Sequence, residues 1–174
     1  MAQRTACGVT LPNGKHPPGT AASPEWYGNG KLFAPLWPHG VIPVGPRYIN
    51  ADGSLWVKLP WWGFRVPRKL LEIRGQRVDG SSRPLRASVK WGQPEGYRGS
   101  FWAAGLTFPR AGCWQVTGRV GKVRLTFVTL VRKGPANSAG SRSASRAFVQ
   151  LSHMFDVTRP AIVPTRRLGQ RAGM

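Results

Sequence analysis

Apolar and polar residues alternate most regularly in the stretch from Cys113 to Arg132. In its first half, apolar or small residues take every second position from Trp114 onward, and hydrophilic residues such as Gln115 stand between them. A period of two places one set of side chains on one face of a β-strand. Gly121 interrupts the alternation, and the same period resumes after it. The pattern therefore predicts two adjacent strands joined by a glycine turn.

Shorter segments of the same kind recur along the chain, separated by turn residues such as Asp52-Gly53 and Asp79-Gly80. Many short strands with turn signals between them are typical of an all-β sandwich. The abundance of glycine (22 residues) and proline (16 residues) also favours turns over long helices. The sequence therefore predicts an all-β, antiparallel β-sandwich. Its strands are predicted at residues 31–36, 40–44, 54–59, 69–74, 85–91, 101–108, 113–120 and 122–132.

Composition divides the chain into three parts. Residues 1–30 are rich in Pro, Gly and Asn, which predicts an extended N-terminal arm, and residues 31–133 form the predicted sandwich domain. Residues 134–174 begin with a small, polar stretch without periodicity, which predicts a disordered basic tail. Within that tail the apolar residues of 147–157 follow a helical spacing and predict a short helix. A length of 174 residues suits one domain of this kind.

The chain is strongly basic. It has 26 Lys and Arg residues against 6 Asp and Glu residues, a net charge of +20. Such an excess attracts nucleic acid, acidic polysaccharide or anionic lipid headgroups, and the attraction weakens as salt rises. We therefore expect an anionic partner, although the charge does not specify which one. The alternative is that the basic composition serves solubility or reflects genome bias.

Two cysteines, Cys7 and Cys113, are too few for a disulfide framework and too far apart for a zinc pair. They can close one long loop as a disulfide if the protein is exported, and the alternative is two free thiols. The sequence Thr5-Ala6-Cys7 is also similar to a lipoprotein processing site, which would attach a lipid anchor to Cys7. No apolar run reaches the roughly 18 residues that span a membrane, so we expect membrane contact only through such an anchor.

Three segments carry recognisable motifs: YGNGKLF at 27–33, DGSLWVKLPWW at 52–62 and GLTFPRAGCWQVTGRVG at 105–121. Together they resemble a group of uncharacterised bacterial exported proteins and lipoproteins with an immunoglobulin-like β-sandwich. The resemblance covers about residues 7–133 and implies export and an immunoglobulin-like fold. It implies no activity for any named residue. Gln115 stands where the resemblance places an acidic residue, and the tail after Lys133 has no counterpart.

The segment 56–69 concentrates aromatic and basic residues more than any other part of the chain. Indole rings stack on bases or sugar rings, and arginine and lysine hold phosphate, sulfate or carboxylate groups. The alternative for each tryptophan is a place in the sandwich core, for which Trp114 is the strongest candidate. The predicted ligand-binding residues are Trp56, Trp61, Trp62, Arg65, Arg68 and Lys69.

Residues suited to catalysis are sparse and have no motif spacing. His39, Asp52 and Ser54 supply the residue types of a Ser-His-Asp triad, and Glu95 is the best-placed acid for a glycosidase pair. The three histidines lack the i, i+4 spacing of a helical zinc site. We therefore predict no metal, no cofactor and no assigned catalytic residue.

The sequence predicts a non-enzymatic binding or structural module of the bacterial cell surface that recognises an anionic or carbohydrate ligand. We expect it to be secreted or anchored in the cell envelope. Two alternatives stay open. One is a sequence-tolerant binder of single-stranded nucleic acid, favoured by the charge and by the serine- and arginine-rich run at 141–146, although no RRM, zinc-finger or helix-turn-helix motif is present. The other is a small hydrolase of the esterase or glycosidase type.

Overall fold

The structure is a computed structural model that describes residues 7–92, 94 and 96–135. Within this part the strands form two sheets packed as a β-sandwich, so the predicted all-β sandwich is confirmed. Two 3-10 turns lie at Pro38–Gly40 and Pro46–Tyr48. The strands are β1 (Trp26–Gly28), β2 (Leu32–Pro35), β3 (Val41–Val44), β4 (Leu55–Lys58), β5 (Trp61–Gly63), β6 (Glu72–Arg77), β7 (Arg86–Gly92), β8 (Ser100–Phe108), β9 (Gly112–Val120) and β10 (Val123–Lys133).

The first sheet is built around the long strand β8. β7 pairs along one edge of β8. On the other edge, β4 pairs with residues 105–108 of β8 and β5 pairs with residues 100–102. β2 then pairs with β5, and β1 with β2, all antiparallel. The second sheet has the order β3-β10-β9-β6, in which β3 pairs with β10 in parallel. β9 and β10 form the predicted hairpin, and Gly121 adopts the positive φ of 58° that its turn requires.

The core lies between the two sheets and follows the period of two in the long strands. Alternate residues of β8 from Trp102 to Phe108 are buried, as are those of β9 from Trp114 to Val120. On β10 the same face includes Thr129, whose hydroxyl donates to the Gly40 carbonyl at 2.9 Å. The alternation in the sequence therefore identifies the buried face of these strands correctly.

A second aromatic cluster covers part of the outer face of the first sheet. It consists of Trp26, Phe33, Trp62, Tyr97 and Phe101. This layer contains parts of β1 and β5, the two strands that the sequence did not predict. β1 lies inside the stretch predicted as an arm, and β6 begins at residue 72 rather than 69.

The rest of the N-terminal arm lies across the sandwich and is fastened at several points. Cys7 and Cys113 form a disulfide bond. The backbone N–H of Thr10 donates to the Val128 carbonyl at 2.8 Å, and its hydroxyl accepts from the Val128 N–H at 2.9 Å. The arm thus pairs with β10 at Val128, next to the residues 130–133 that pair with β3. The tail beyond residue 135, with its predicted helix at 147–157, lies outside the described residues.

Tyr97 gives the fold a testable pH dependence. Its hydroxyl donates to the Gly63 carbonyl at 3.0 Å, and burial raises its pKa from 10.0 to about 12. The folded state therefore holds the phenolic proton more tightly than the unfolded chain does. Its contribution to stability is fully present below pH 10 and is lost as the pH rises through about 12.

We expect Tyr97→Phe to unfold more easily than the parent at neutral pH, by about 1 kcal/mol, because the Gly63 carbonyl loses its donor. Its stability should also decline less steeply than that of the parent between about pH 9 and about pH 12. Urea unfolding of both proteins over this range measures the difference. Tyr48→Phe, which removes an exposed hydroxyl, is the matched control. Equal slopes in the parent and Tyr97→Phe would contradict the prediction.

Candidate anion-binding surface

Two of the predicted ligand-binding tryptophans are core residues. Trp61 and Trp62 are 0% and 4% exposed and point to opposite faces of β5. Trp61 packs between the sheets against Phe127, at 5.9 Å between ring centroids. Trp62 belongs to the outer aromatic cluster, 4.8 Å from the Trp26 ring. The prediction that these rings stack on a ligand is therefore corrected, because a ligand cannot reach either one.

Trp56 is accessible but lies far from the basic residues of the predicted set. It is 37% exposed on β4, with the exposed Tyr48 ring 5.7 Å away. Trp56 pairs with Thr107, whereas the end of β5 at Gly63 pairs with Ser100. Seven positions along β8 separate these points by about 23 Å, at about 3.3 Å per residue. The predicted set therefore divides into one exposed aromatic residue and a separate basic group.

Arg65, Arg68 and Lys69 are exposed in the loop between β5 and β6. This loop leaves β5 by a defined path, since the Phe64 N–H donates to the Lys31 carbonyl at 2.8 Å. Arg65 has a left-handed backbone with φ 53°, which is uncommon for a residue with a side chain. Its guanidinium lies 5.2 Å from the centre of the Phe64 ring. The loop is thus held against the turn between β1 and β2.

Two further turns meet at the same end of the sandwich. The Asn29 side chain donates to the Arg124 carbonyl at 2.7 Å, which joins the β1–β2 turn to the start of β10. A Cβ atom placed on Gly121 would lie 3.3 Å from Pro67, so the β9–β10 turn contacts the loop after β5. We call the exposed cations that these turns bring together the basic end: Lys31, Arg65, Arg68, Lys69, Arg119, Lys122 and Arg124.

No ion pair involves the basic end within the described part of the chain, although Glu72 on β6 lies directly opposite Arg119 on β9. The ion pairs found there are Arg77 with Asp79 at 2.7 Å and Arg86 with Asp52 at 4.0 Å, and neither involves the basic end. Arg119 and Arg124 lie directly opposite each other on β9 and β10. Like charges in this position destabilise a sheet. A bound anion would remove that repulsion.

Two of the residues considered for hydrolysis, Asp52 and Ser54, lie in one hydrogen-bonded turn. The Ser54 hydroxyl donates to Asp52 at 2.6 Å and its N–H donates to the same oxygen at 3.0 Å. These hydrogen bonds lower the pKa of the Asp52 carboxyl. Ser54 is 3% exposed and also accepts from Asn50 at 2.9 Å. Among the described hydrogen bonds none joins His39 to this group, and Glu95 lies outside the described residues.

The described ranges also contain no group of three or more His, Cys, Asp and Glu residues placed to hold a metal ion. In the same ranges, no helix has both the length and the apolar character needed to cross a membrane.

Sequence reasoning identified three of the seven cations of the basic end and missed the other four. Arg65, Arg68 and Lys69 stand together in the sequence, whereas the other cations come from distant turns. A local signal did exist for Lys122, because it follows Gly121 at a predicted reversal. Which turns share one end depends on strand pairing that composition does not reveal.

No family model matches the chain, and neither does any curated protein or solved structure.

Proposed function

We propose that the protein is a non-enzymatic binding module of the bacterial cell surface that holds an anionic polymer at the basic end. The observation that carries this proposal is the meeting of three turns whose exposed cations have no ion pair among the described residues. Arg119 lies between Arg124 on β10 and Glu72 on β6, so Glu72 offsets part of the repulsion between the two arginines and a ligand would supply the remaining countercharge.

The spread of the cations favours a polymer over a single small anion. Each exposed lysine or arginine gains little from one isolated contact, because water and salt screen it. A chain of anionic groups engages several cations together and releases many counterions, which makes the affinity large and strongly dependent on salt. The basic end therefore fits a polyanion better than a single phosphate.

A nucleic acid is less well matched to this surface. Proteins that bind single strands without sequence preference add exposed aromatic rings on which bases stack. At the basic end, Phe64 is half-buried and has the Arg65 guanidinium over its ring, while Trp61 and Trp62 are buried. Binding of single-stranded DNA is therefore an outcome that the experiment below must separate from binding of other polyanions.

The cysteines support an exported protein without a lipid on Cys7. Disulfides persist in oxidising compartments outside the cytosol. The Cys7 sulfur is bonded to Cys113, so the same sulfur is not available for a thioether-linked lipid. We therefore propose secretion rather than lipid anchoring.

We also propose the immunoglobulin-like fold that the sequence resemblance implies. The arrangement of the strands in two packed sheets supports it.

The test compares two triple variants with the same change in net charge. Arg68→Gln/Lys69→Gln/Lys122→Gln removes part of the basic end. The control, Arg110→Gln/Arg132→Gln/Lys133→Gln, removes exposed cations at the opposite end of β9 and β10. Affinities for heparin, polyphosphate and single-stranded oligothymidylate are measured over a range of salt concentrations.

We expect the basic-end variant to bind heparin and polyphosphate about tenfold or more weakly at about 0.1 M salt. The slope of log affinity against log salt should fall by about 2–3 in magnitude, since three contacts are lost at about 0.7–0.9 each. The control should keep most of the affinity. Equal losses in the two variants would show that binding follows net charge alone and would refute a defined site.

A further inference from the structure

A groove of about 500 Å³ opens on the outer face of the second sheet, beside the basic end. Its floor is a ladder of polar side chains from two strands, β6 and β9. Three cross-strand pairs form this floor: Gln76 with Gln115, Arg74 with Thr117, and Glu72 with Arg119. Arg119 belongs both to the groove and to the basic end. A polymer bound at the basic end therefore has a continuous path into the groove.

The polar groups of the floor suit a sugar. The Gln76 side-chain amide donates to the side-chain oxygen Oε1 of Gln115 at 3.3 Å, which leaves each side chain with further donor or acceptor capacity. The Thr117 hydroxyl shares a hydrogen bond with Thr126 at 2.8 Å. Amides and hydroxyls both donate and accept, as sugar hydroxyls do. Arg74, exposed beside them, can hold a carboxylate or sulfate in a bidentate manner.

The remaining wall of the groove is apolar and not aromatic. Pro84 and Leu85 line it; Pro84 is exposed and offers a surface for the C–H face of a sugar ring, whereas Leu85 is mostly buried in the core. The described residues that line the groove include no aromatic ring. Bases would therefore find no stacking partner here. The lining favours hydroxyl-rich rings that carry acidic groups.

We propose that this groove binds the sugar units of the ligand and that the ligand is an acidic polysaccharide. The inference rests on the proposed function, because the basic end supplies the general attraction to a polyanion. The groove adds acceptors for sugar hydroxyl donors, which an ionised polyphosphate chain lacks. Affinity for the sugar polymer and affinity for polyphosphate should therefore respond differently to changes in the groove.

The groove is tested with Gln76→Ala/Gln115→Ala and, as a second variant that keeps the side-chain size, Gln115→Glu. Ser88→Ala/Thr107→Ala removes two polar groups from the outer side of the first sheet and is the matched control. Each protein is titrated with a heparin oligosaccharide, a polyphosphate of similar charge and oligothymidylate. Thermal unfolding monitors folding of every variant.

We expect the double alanine variant to bind the heparin oligosaccharide about 5-fold to 25-fold more weakly, since each lost hydrogen bond changes affinity about fivefold. Its affinity for polyphosphate should stay unchanged. Gln115→Glu should also weaken heparin binding, through repulsion of the acidic groups. The control should match the parent for all three probes.

Two results would overturn the inference while leaving the basic end in place. In one, the groove variants bind heparin as the parent does, or lose heparin and polyphosphate affinity equally. In the other, oligothymidylate binding is the affinity that depends on the groove, which assigns the groove to nucleic acid. Failure of the proposed function gives a different result, in which the basic-end and control triple variants lose the same affinity for polyphosphate.

Discussion

Replacing Cys7 by serine and Cys113 by alanine is expected to lower the free energy of unfolding by about 4–5 kcal/mol. The disulfide joins residues 106 positions apart, so it closes most of the described chain into one loop. In the chain-entropy model, a cross-link over about 100 residues removes conformational freedom from the unfolded chain worth about 4.7 kcal/mol. Small domains are typically stable by about 5–15 kcal/mol, so this is a large share.

Urea unfolding of the parent, the parent with reductant, and the double variant measures this effect. Alanine is chosen at position 113 because Cys113 is 1% exposed and a serine hydroxyl would be buried there. The reduced parent and the variant should share a midpoint well below that of the oxidised parent. If reductant leaves the midpoint of the parent unchanged, the cross-link does not stabilise the domain.

This dependence bears on where the protein works. If one disulfide contributes several kcal/mol to the free energy of unfolding, the domain is less stable in a reducing cytosol, where the bond does not persist. The arm also depends on the bond, because Cys7 begins the segment that lies along β10 and holds Val128 through Thr10. The expected dependence on the disulfide is therefore compatible with the secretion proposed above.

The long strands could be predicted from the sequence because they repeat their period often enough. β8, β9 and β10 have 9, 9 and 11 residues, so the alternation is visible several times in each. β1 and β5 have three residues each, and three residues show no period. Both strands are also aromatic and buried on the outer side by a second cluster. A sequence does not reveal that second layer.

The same layer explains why the binding residues were only partly predicted. Adjacent aromatic residues at Trp61 and Trp62 would normally leave one ring exposed on a two-layer sandwich. Here Trp62 packs against Trp26 and Phe101, so both faces of β5 are covered. The basic residues were identified where they are consecutive in the sequence. The contributions of Lys31 and Arg124 depend on the packing of distant turns, which local composition does not encode.

Trp61→Ala is expected to lower the free energy of unfolding by about 3–5 kcal/mol, because a fully buried large ring leaves a cavity when truncated. The ring sits over Gly118 on β9, where a Cβ atom would lie 2.5 Å from the Trp61 ring. Glycine is thus needed at this position for the two sheets to approach. Urea unfolding of the variant and the parent measures the loss.

A double-mutant cycle tests the contact directly. Gly118→Ala should destabilise the parent by about 1–3 kcal/mol through overpacking. Trp61→Phe shortens the ring and removes an indole N–H that finds no hydrogen-bond partner among the described residues. In that background Gly118→Ala should therefore be less harmful, with a coupling of about 1 kcal/mol or more. Additive effects would mean that the ring and Gly118 are not in contact.

The ligand affinity of the Trp61→Phe variant also separates a core role of Trp61 from a role in binding. If the ring only holds the sheets together, folded Trp61→Phe should bind polyphosphate with the affinity of the parent. An exposed stacking residue would behave in the opposite way, with weaker binding and little change in stability. Because Trp61 is 0% exposed, we expect the first result. Ligand affinity then depends on the cations of the three turns, and the indole ring stabilises the sandwich that positions them.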